Sequence, residues 1–333
     1  WGILCFTLLS LCMCLGIKQG RQIKAASDFV ISNGTLVEYT GNSSSVTVPS
    51  SVKKIGASAF EGNTTVTYVS LPDNLTEIGA QAFKDCTKLR TILCKDKIKT
   101  IEVKAFSGCV ALTSMHFSSG LQKIGNRAFY DCRALGYASL PKSLHYLGVG
   151  AFQSCYSLYS VNFNGNNKLP YIRNDVFRNC KSLRTITIPE KVSQINKTSF
   201  EGCKNLYSVK MGGKVTVIKE RAFANCENLR KVSFSKSLES IEKNAFENSG
   251  LTSIILPSGI TEIASGTFYN CKNLRTVSMK DKVRKIGHNA FANCISLSKV
   301  ILPKKLKVIG YSAFADCKKL ENINLPGKMK EIQ

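Results

Sequence analysis

Histidine, tryptophan and acidic residues are scarce in this chain of 333 residues, which has three His, one Trp, and 22 Asp and Glu against 46 Lys and Arg. His116, His145 and His288 stand in unrelated sequence contexts. The chain holds no His-Glu-x-x-His pair, no phosphate-binding glycine loop and no Gly-x-Ser-x-Gly elbow. These absences argue against metallohydrolase, nucleotide-hydrolase and serine-hydrolase chemistry, so the expectation is a non-enzyme with no catalytic residue, cofactor or metal site. His116 beside Glu102 or Cys94 is the one dyad that can be drawn, and a lone strand histidine is more often incidental. The shortage of acid leaves a net charge of +24, which favours anionic partners over cationic ones.

Long apolar runs are missing as well, apart from Trp1 to Ile17. That uncharged stretch is followed by Lys18, Arg21 and Lys24 and then Ala25-Ala26-Ser27, the pattern of a secretory signal peptide and its cleavage site. Its start lacks the usual basic region, so a truncated leader is expected. A signal anchor is the alternative, although the run falls short of the roughly 20 residues of a spanning helix. No membrane span is expected in the mature chain.

What the chain does have is a returning phenylalanine: Phe60, Phe83, Phe106, Phe129, Phe152, Phe177, Phe200, Phe223, Phe246, Phe268, Phe291 and Phe314. The intervals are 23 residues, except for one of 25 and one of 22. Around each Phe runs a unit close to A-F-x-x-C-x-x-L-x-x-[IV]-x-[LIFM]-P-x-x-[LIV]-x-x-I-G. Such a period predicts a leucine-rich-repeat solenoid, a horseshoe of about twelve coils of 22–25 residues. Within a unit, Leu89, Ile92 and Cys94 read as a strand with alternate side chains inward, predicting a concave parallel β-sheet. A turn follows, marked by Pro72, Pro141, Pro189, Pro257, Pro303 and Pro326. Ile98 and Ile101 predict a short second strand, and Ala-Phe-x-x-Cys predicts a helical turn with Phe facing in.

Ten cysteines sit three residues after a repeat Phe, from Cys86 to Cys317, and Cys94 replaces an inward Leu. In an exported chain cysteines usually signal disulfides. Here Asn63 and Ser249 take the same slot, which would orphan partners in any systematic pairing. The slot therefore reads as a ladder of free thiols, small buried groups donating weakly to backbone carbonyls. Asn63, in that slot, is expected to be buried although it begins one of five N-x-S/T sequons.

The expected organisation is 1–26 as truncated signal peptide or anchor, 27–45 as a capping hairpin turning at Asn33-Gly34, and 46–333 as the repeat array, itself cut short at its C-terminal end. Two irregularities, the longer stretch Asn162 to Lys168 and the shorter one at Ser249-Gly250, read as a bulged loop and a tightened bend.

Units such as I-G-A-Q-A-F-K-D-C-T-K-L (78–89) and I-G-Y-S-A-F-A-D-C-K-K-L (309–320) resemble the BspA-like leucine-rich-repeat family, also called the Treponema pallidum type, from about residue 46 onward. The resemblance implies a secreted or cell-surface protein, with several relatives acting as adhesins, and supplies no catalytic residue.

Two faces are candidate binding surfaces. Outward strand positions on the concave sheet hold Tyr68, Thr91, Ser114, His116, Tyr137, Ser160, Thr185, Ser208, Lys231, Thr276 and Lys299, a polar surface fit to hydrogen-bond a peptide or glycan. Lys97, Lys191, Lys214, Lys282, Lys305 and Lys328 share one turn position and predict a basic edge. The expected role is adhesion or protein interaction with host matrix proteins, mucin, anionic glycans or bacterial surface polymers, without specific nucleic-acid recognition. The alternative is a spacer or targeting module for a catalytic or wall-anchoring domain.

Overall fold

A computed structural model describes residues 28–327 and 329–332; the predicted leader at 1–26 and Lys328 lie outside the described residues. The chain winds into a parallel β-solenoid of about thirteen turns. Each turn opens on a strand of two or three residues such as Tyr68–Ser70, whose central Val69 is buried while its neighbours face out. A strand of two residues such as Glu77–Ile78 follows on a second side, with the Ile inward.

Equivalent strands of successive turns pair in parallel at constant register, Tyr68 with Thr91 and Glu77 with Thr100. Turning one apolar residue of each paired strand inward, buried in most of them, is what fixes that register, since a one-residue slip would turn it to solvent. The first sheet runs in three segments, Ser45–Thr47 to Ser114–Met115, Tyr137–Ser139 to Lys231–Ser233, and Ser253–Ile255 to Lys299–Ile301. The second sheet also runs in three, breaking between Tyr146–Leu147 and Tyr171–Ile172 and between Ser240–Ile241 and Glu262–Ile263. The longer coil thus interrupts only the second sheet, whereas the coil shortened at Ser249-Gly250 interrupts both.

The third side of each coil differs from the expected helical turn: the described residues contain no helix. Residues two before and two after each Phe adopt left-handed backbone, for example Gln81 and Asp85 with φ of 58° each. Two such residues in five break helical hydrogen bonding. The amides of Gln81, Phe83 and Asp85 instead donate to the carbonyls of Val103, Ala105 and Ser107 in the next coil, at 2.9, 2.7 and 2.7 Å. Left-handed backbone costs a non-glycine residue about 1 kcal/mol or more. Asn, Asp or Gly, the residues for which that cost is least, holds the position two after Phe in every coil from Gly62 to Asp316 except at Ser154.

Each Phe ring lies on the next. Centroids of consecutive rings from Phe60 to Phe314 are 4.7 to 5.8 Å apart and near parallel. The two widest gaps, 5.8 Å at Phe152–Phe177 and 5.7 Å at Phe246–Phe268, fall at the two irregular coils. The N-terminal hairpin, Phe29–Ser32 with Thr35–Tyr39, closes this column: Tyr39 stacks on Phe60 at 4.9 Å and Phe29 tilts onto Tyr39 at 5.2 Å. Thr35 and Leu36 pair in parallel with Lys54 and Ile55, so the hairpin extends the second sheet. Its Asn33-Gly34 turn has positive φ at both residues, the form that matches strand twist.

Candidate functional site

The thiol slot forms a ladder one carbonyl deep. Cys86, Cys109, Cys132 and their successors to Cys317 each donate to the carbonyl of the Phe in the preceding coil at 3.0 to 3.2 Å, and the eleven described cysteines are free and buried. Burial pushes the Cys86 thiol up to about 12 and those of Cys94 and Cys317 up to about 11. A thiol held protonated is a poor nucleophile, so the ladder is architecture. Ser249, in the same slot, instead places its hydroxyl 3.2 Å from Cys271 Sγ of the next coil. Asn63 departs from expectation: it is only half-buried, because it heads the column of thiols. Its Oδ1 accepts from the amides of Thr65 and Val66.

The first-sheet candidates lie in register on one outward face. Tyr68, Thr91 and Ser114 align across one segment, Tyr137, Ser160, Thr185, Ser208 and Lys231 across the next, and Thr276 and Lys299 across the third. His116 lies one residue past its strand, and its Nε2 meets Asp96 Oδ1 at 3.0 Å. The hydrogen bond from His116, joined by the Ser119 amide, lowers the Asp96 carboxyl. Neither Glu102 nor the Cys94 thiol pairs with the imidazole: the Cys94 thiol donates to the His116 carbonyl instead, at 3.2 Å. The dyad drawn from sequence is therefore not formed.

No Asp or Glu occupies any strand of the first sheet, nor the position just before a strand from Ser44 to Ser298. The arginines and lysines of this face have no acidic partner among the described residues, Arg90, Arg184 and Lys299 included. Ion pairs gather on the other sides, coil to coil, as in Lys54–Glu77, Lys123–Glu102, Lys219–Glu242 and Lys285–Glu262 at 2.7 to 3.1 Å. Arg221 bridges Glu201 and Glu247 there.

The predicted lysine edge is discontinuous. Lys97, Lys191, Lys214, Lys282 and Lys305 are exposed at the equivalent turn, and Lys328 lies outside the described residues. Gly120 and Ser143 interrupt the row after Lys97, and Ser237 and Gly259 interrupt it after Lys214. Asp73, Asp96, Glu190 and Asp281 stand one residue away in the same turns, and Asp73 pairs with Lys95 at 2.7 Å. The two extra residues hid one member. Ile172 pairs with Ile195, which sets Lys168 level with Lys191 and makes Lys168, Lys191 and Lys214 three consecutive coils of lysine.

Sequence reasoning also passed over the position just before each first-sheet strand, where Tyr159, Arg184, Tyr207 and Arg230 follow one another. Their amides link the coils, Tyr159 to the Gly136 carbonyl at 2.9 Å, Arg184 to Tyr159 at 3.3 Å, Tyr207 to Arg184 at 2.7 Å and Arg230 to Tyr207 at 2.9 Å. A groove of about 600 Å³ lies between Arg184, Thr185, Asn205, Tyr207, Asn228 and Arg230. It shares Thr185 with a cleft of about 440 Å³ at the longer coil, lined by Ser160, Asn162, Asn164, Thr187 and Glu190. The intervals along this row are 25, 23 and 23 residues, so the two-residue insertion masks it in the sequence and the pairing of coils reveals it.

The chain matches the BspA type leucine-rich-repeat region family in six copies, over residues 31–159, 150–274 and 239–333. It belongs to that family, whose solenoids are typically non-catalytic. A leucine-rich repeat protein from Bacteroides ovatus is 28% identical over 90% of this chain and 79% of its own, with a TM-score of 0.69. One from Eubacterium ventriosum is 24% identical over 90% of this chain and 86% of its own at a TM-score of 0.56, a likeness of fold. The Treponema pallidum leucine-rich repeat protein is 27% identical over 62% of this chain and 91% of its own at a TM-score of 0.47. No curated protein matches. Among the described residues, no helix is long and apolar enough to cross a membrane.

Proposed function

We propose that this chain is an exported, surface-exposed interaction module that binds macromolecules of host or neighbouring cells along the outward face of its first sheet. The carrying observation is the segregation of charge: the strands of that face and the positions before them are hydroxylic and basic and carry no acid, while ion pairs gather on the other sides. A rigid backbone ladder lowers the ordering cost of association, since only side chains need be fixed. The apolar leader pattern at 1–26 supports export, and membership of a family with an extended repeat surface supports adhesion. Matrix proteins, mucin, anionic glycans and bacterial surface polymers are the partner classes compatible with net charge +24.

The test is a panel of immobilised matrix proteins, mucin and acidic polysaccharides probed with the purified chain. Saturable binding, weakened when Lys231 and Lys299 are changed to Gln, is expected. No saturable binding on any surface would reject the reading and favour a spacer role.

A further inference from the structure

We infer that the column Tyr159, Arg184, Tyr207, Arg230 is a subsite for a linear acidic polysaccharide lying along the solenoid axis. This rests on the proposed use of the first-sheet face and names its ligand class and place. Aromatic and cationic side chains alternate over four successive coils at one position, their backbones bonded one to the next. Neighbouring coils are about 4.8 Å apart, so each residue type recurs at about 9.6 Å. That is close to the length of one extended disaccharide, in which a sugar face and an acidic group recur together.

The side chains are set for such use. Tyr159 is 53% and Tyr207 47% exposed. A Cβ on Gly136 would come within 3.2 Å of the Tyr159 ring, so the Cδ1–Cε1 edge of the ring lies against a backbone bare of side chain. Arg184 has no acidic partner among the described residues. Arg230 is held in place by Nη1, which donates to the carbonyls of Glu227 and Gly250 at 2.9 and 2.7 Å. Asn205 and Asn228, joined by a 3.3 Å hydrogen bond from Asn228 Nδ2 to Asn205 Oδ1, and Thr185 line the same groove and offer their remaining amide and hydroxyl groups to ring hydroxyls.

The pitch disfavours an extended peptide. Its same-side residues recur at about 6.6 Å, which falls out of step with the coils within two repeats. A single nucleic-acid strand also joins stacking to phosphate, so it serves as the rival in the test.

The experiment measures binding of the full chain, by calorimetry, to heparin and polygalacturonate fragments of rising length, with neutral dextran, oligo-dT and poly-Glu as comparators. Sulfated and carboxylated probes separate the two possible acidic groups. Binding of at least one acidic glycan, rising with length up to about four sugars, is expected. Arg184→Gln and Tyr207→Ala should each weaken it about tenfold. Lys168→Gln with Lys191→Gln and Lys214→Gln should change it less than threefold. The subsite is wrong if Arg184→Gln and Tyr207→Ala bind glycan like the parent while circular dichroism shows them folded, or if the lysine variant alone loses binding. It is equally wrong if oligo-dT or poly-Glu binds and the glycans do not. Those outcomes leave the wider interaction reading standing; only silence towards every macromolecule removes both.

Discussion

Cys109 donates its thiol hydrogen to the carbonyl of Phe83, 3.0 Å away in the preceding coil, and Phe83 stacks on Phe106 with ring centroids 5.2 Å apart. The two ladders are therefore one device: the peptide that carries each ring also anchors the next coil's thiol. Every internal coil leans on both neighbours, as expected of a solenoid whose stability is a chain of nearest-neighbour contacts.

Removing a ring from the middle of the column opens a cavity on both sides. Phe200→Ala is expected to cost about 3 to 5 kcal/mol, since Phe200 is fully buried between Phe177 and Phe223. Urea unfolding by circular dichroism measures it, and a loss below about 1 kcal/mol would mean that the column is not continuous.

Stability should fall at alkaline pH. In the fold three thiols stay neutral past their ordinary value of 9.0, Cys94 and Cys317 to about 11 and Cys86 to about 12. A raised pKa contributes its full stability below the unfolded value, where both states are protonated. Above pH 9 the unfolded chain ionises first, so stability declines from there to about pH 12. Urea midpoints at pH 8 and pH 10.5 compare the two regimes, and Cys86→Ser should flatten part of the slope.

The shortened coil depends on a glycine. A Cβ on Gly250 would stand 1.6 Å from Arg230 Nη1 and 2.1 Å from the Glu227 carbonyl oxygen. Gly250→Ala should destabilise by about 1 to 3 kcal/mol. Adding Arg230→Ala should recover part of that loss, because the nearer clash is with a side chain.

On the ion-paired side, Arg221→Ala leaves the carboxylate of buried Glu201 with one cation fewer. A loss of about 1.5 to 3 kcal/mol is expected. Replacing Arg184, exposed and unpaired, should leave the urea midpoint unchanged; a comparable loss there would contradict the division of charge between sides.

The coil, its inward residues and the thiol ladder were legible because Phe60 to Phe314 repeat at nearly constant spacing, and a fixed spacing in a stacked fold places equivalent residues side by side. The third side was misread because Ala82, Phe83 and Cys86 have the spacing of a helix face. The recurring Asp, Asn or Gly two residues after Phe carried the correct signal of left-handed turns. Lys168 escaped notice because two inserted residues shifted it out of count. The first-sheet face was only partly legible: its strand residues were named, but the Tyr159 to Arg230 column needed inter-coil pairing to be seen as one row.

The most direct test of the stacked-coil account is a thiol titration of the native chain with Cys5, Cys12 and Cys14 replaced by Ser. The account predicts that the eleven remaining thiols resist a disulfide reagent at pH 8 and all react as free thiols once the chain is unfolded, with Cys317 in the last coil the first to yield. Rapid labelling of mid-array cysteines such as Cys132 or Cys180 in the folded protein, or fewer than eleven free thiols after unfolding, would contradict it.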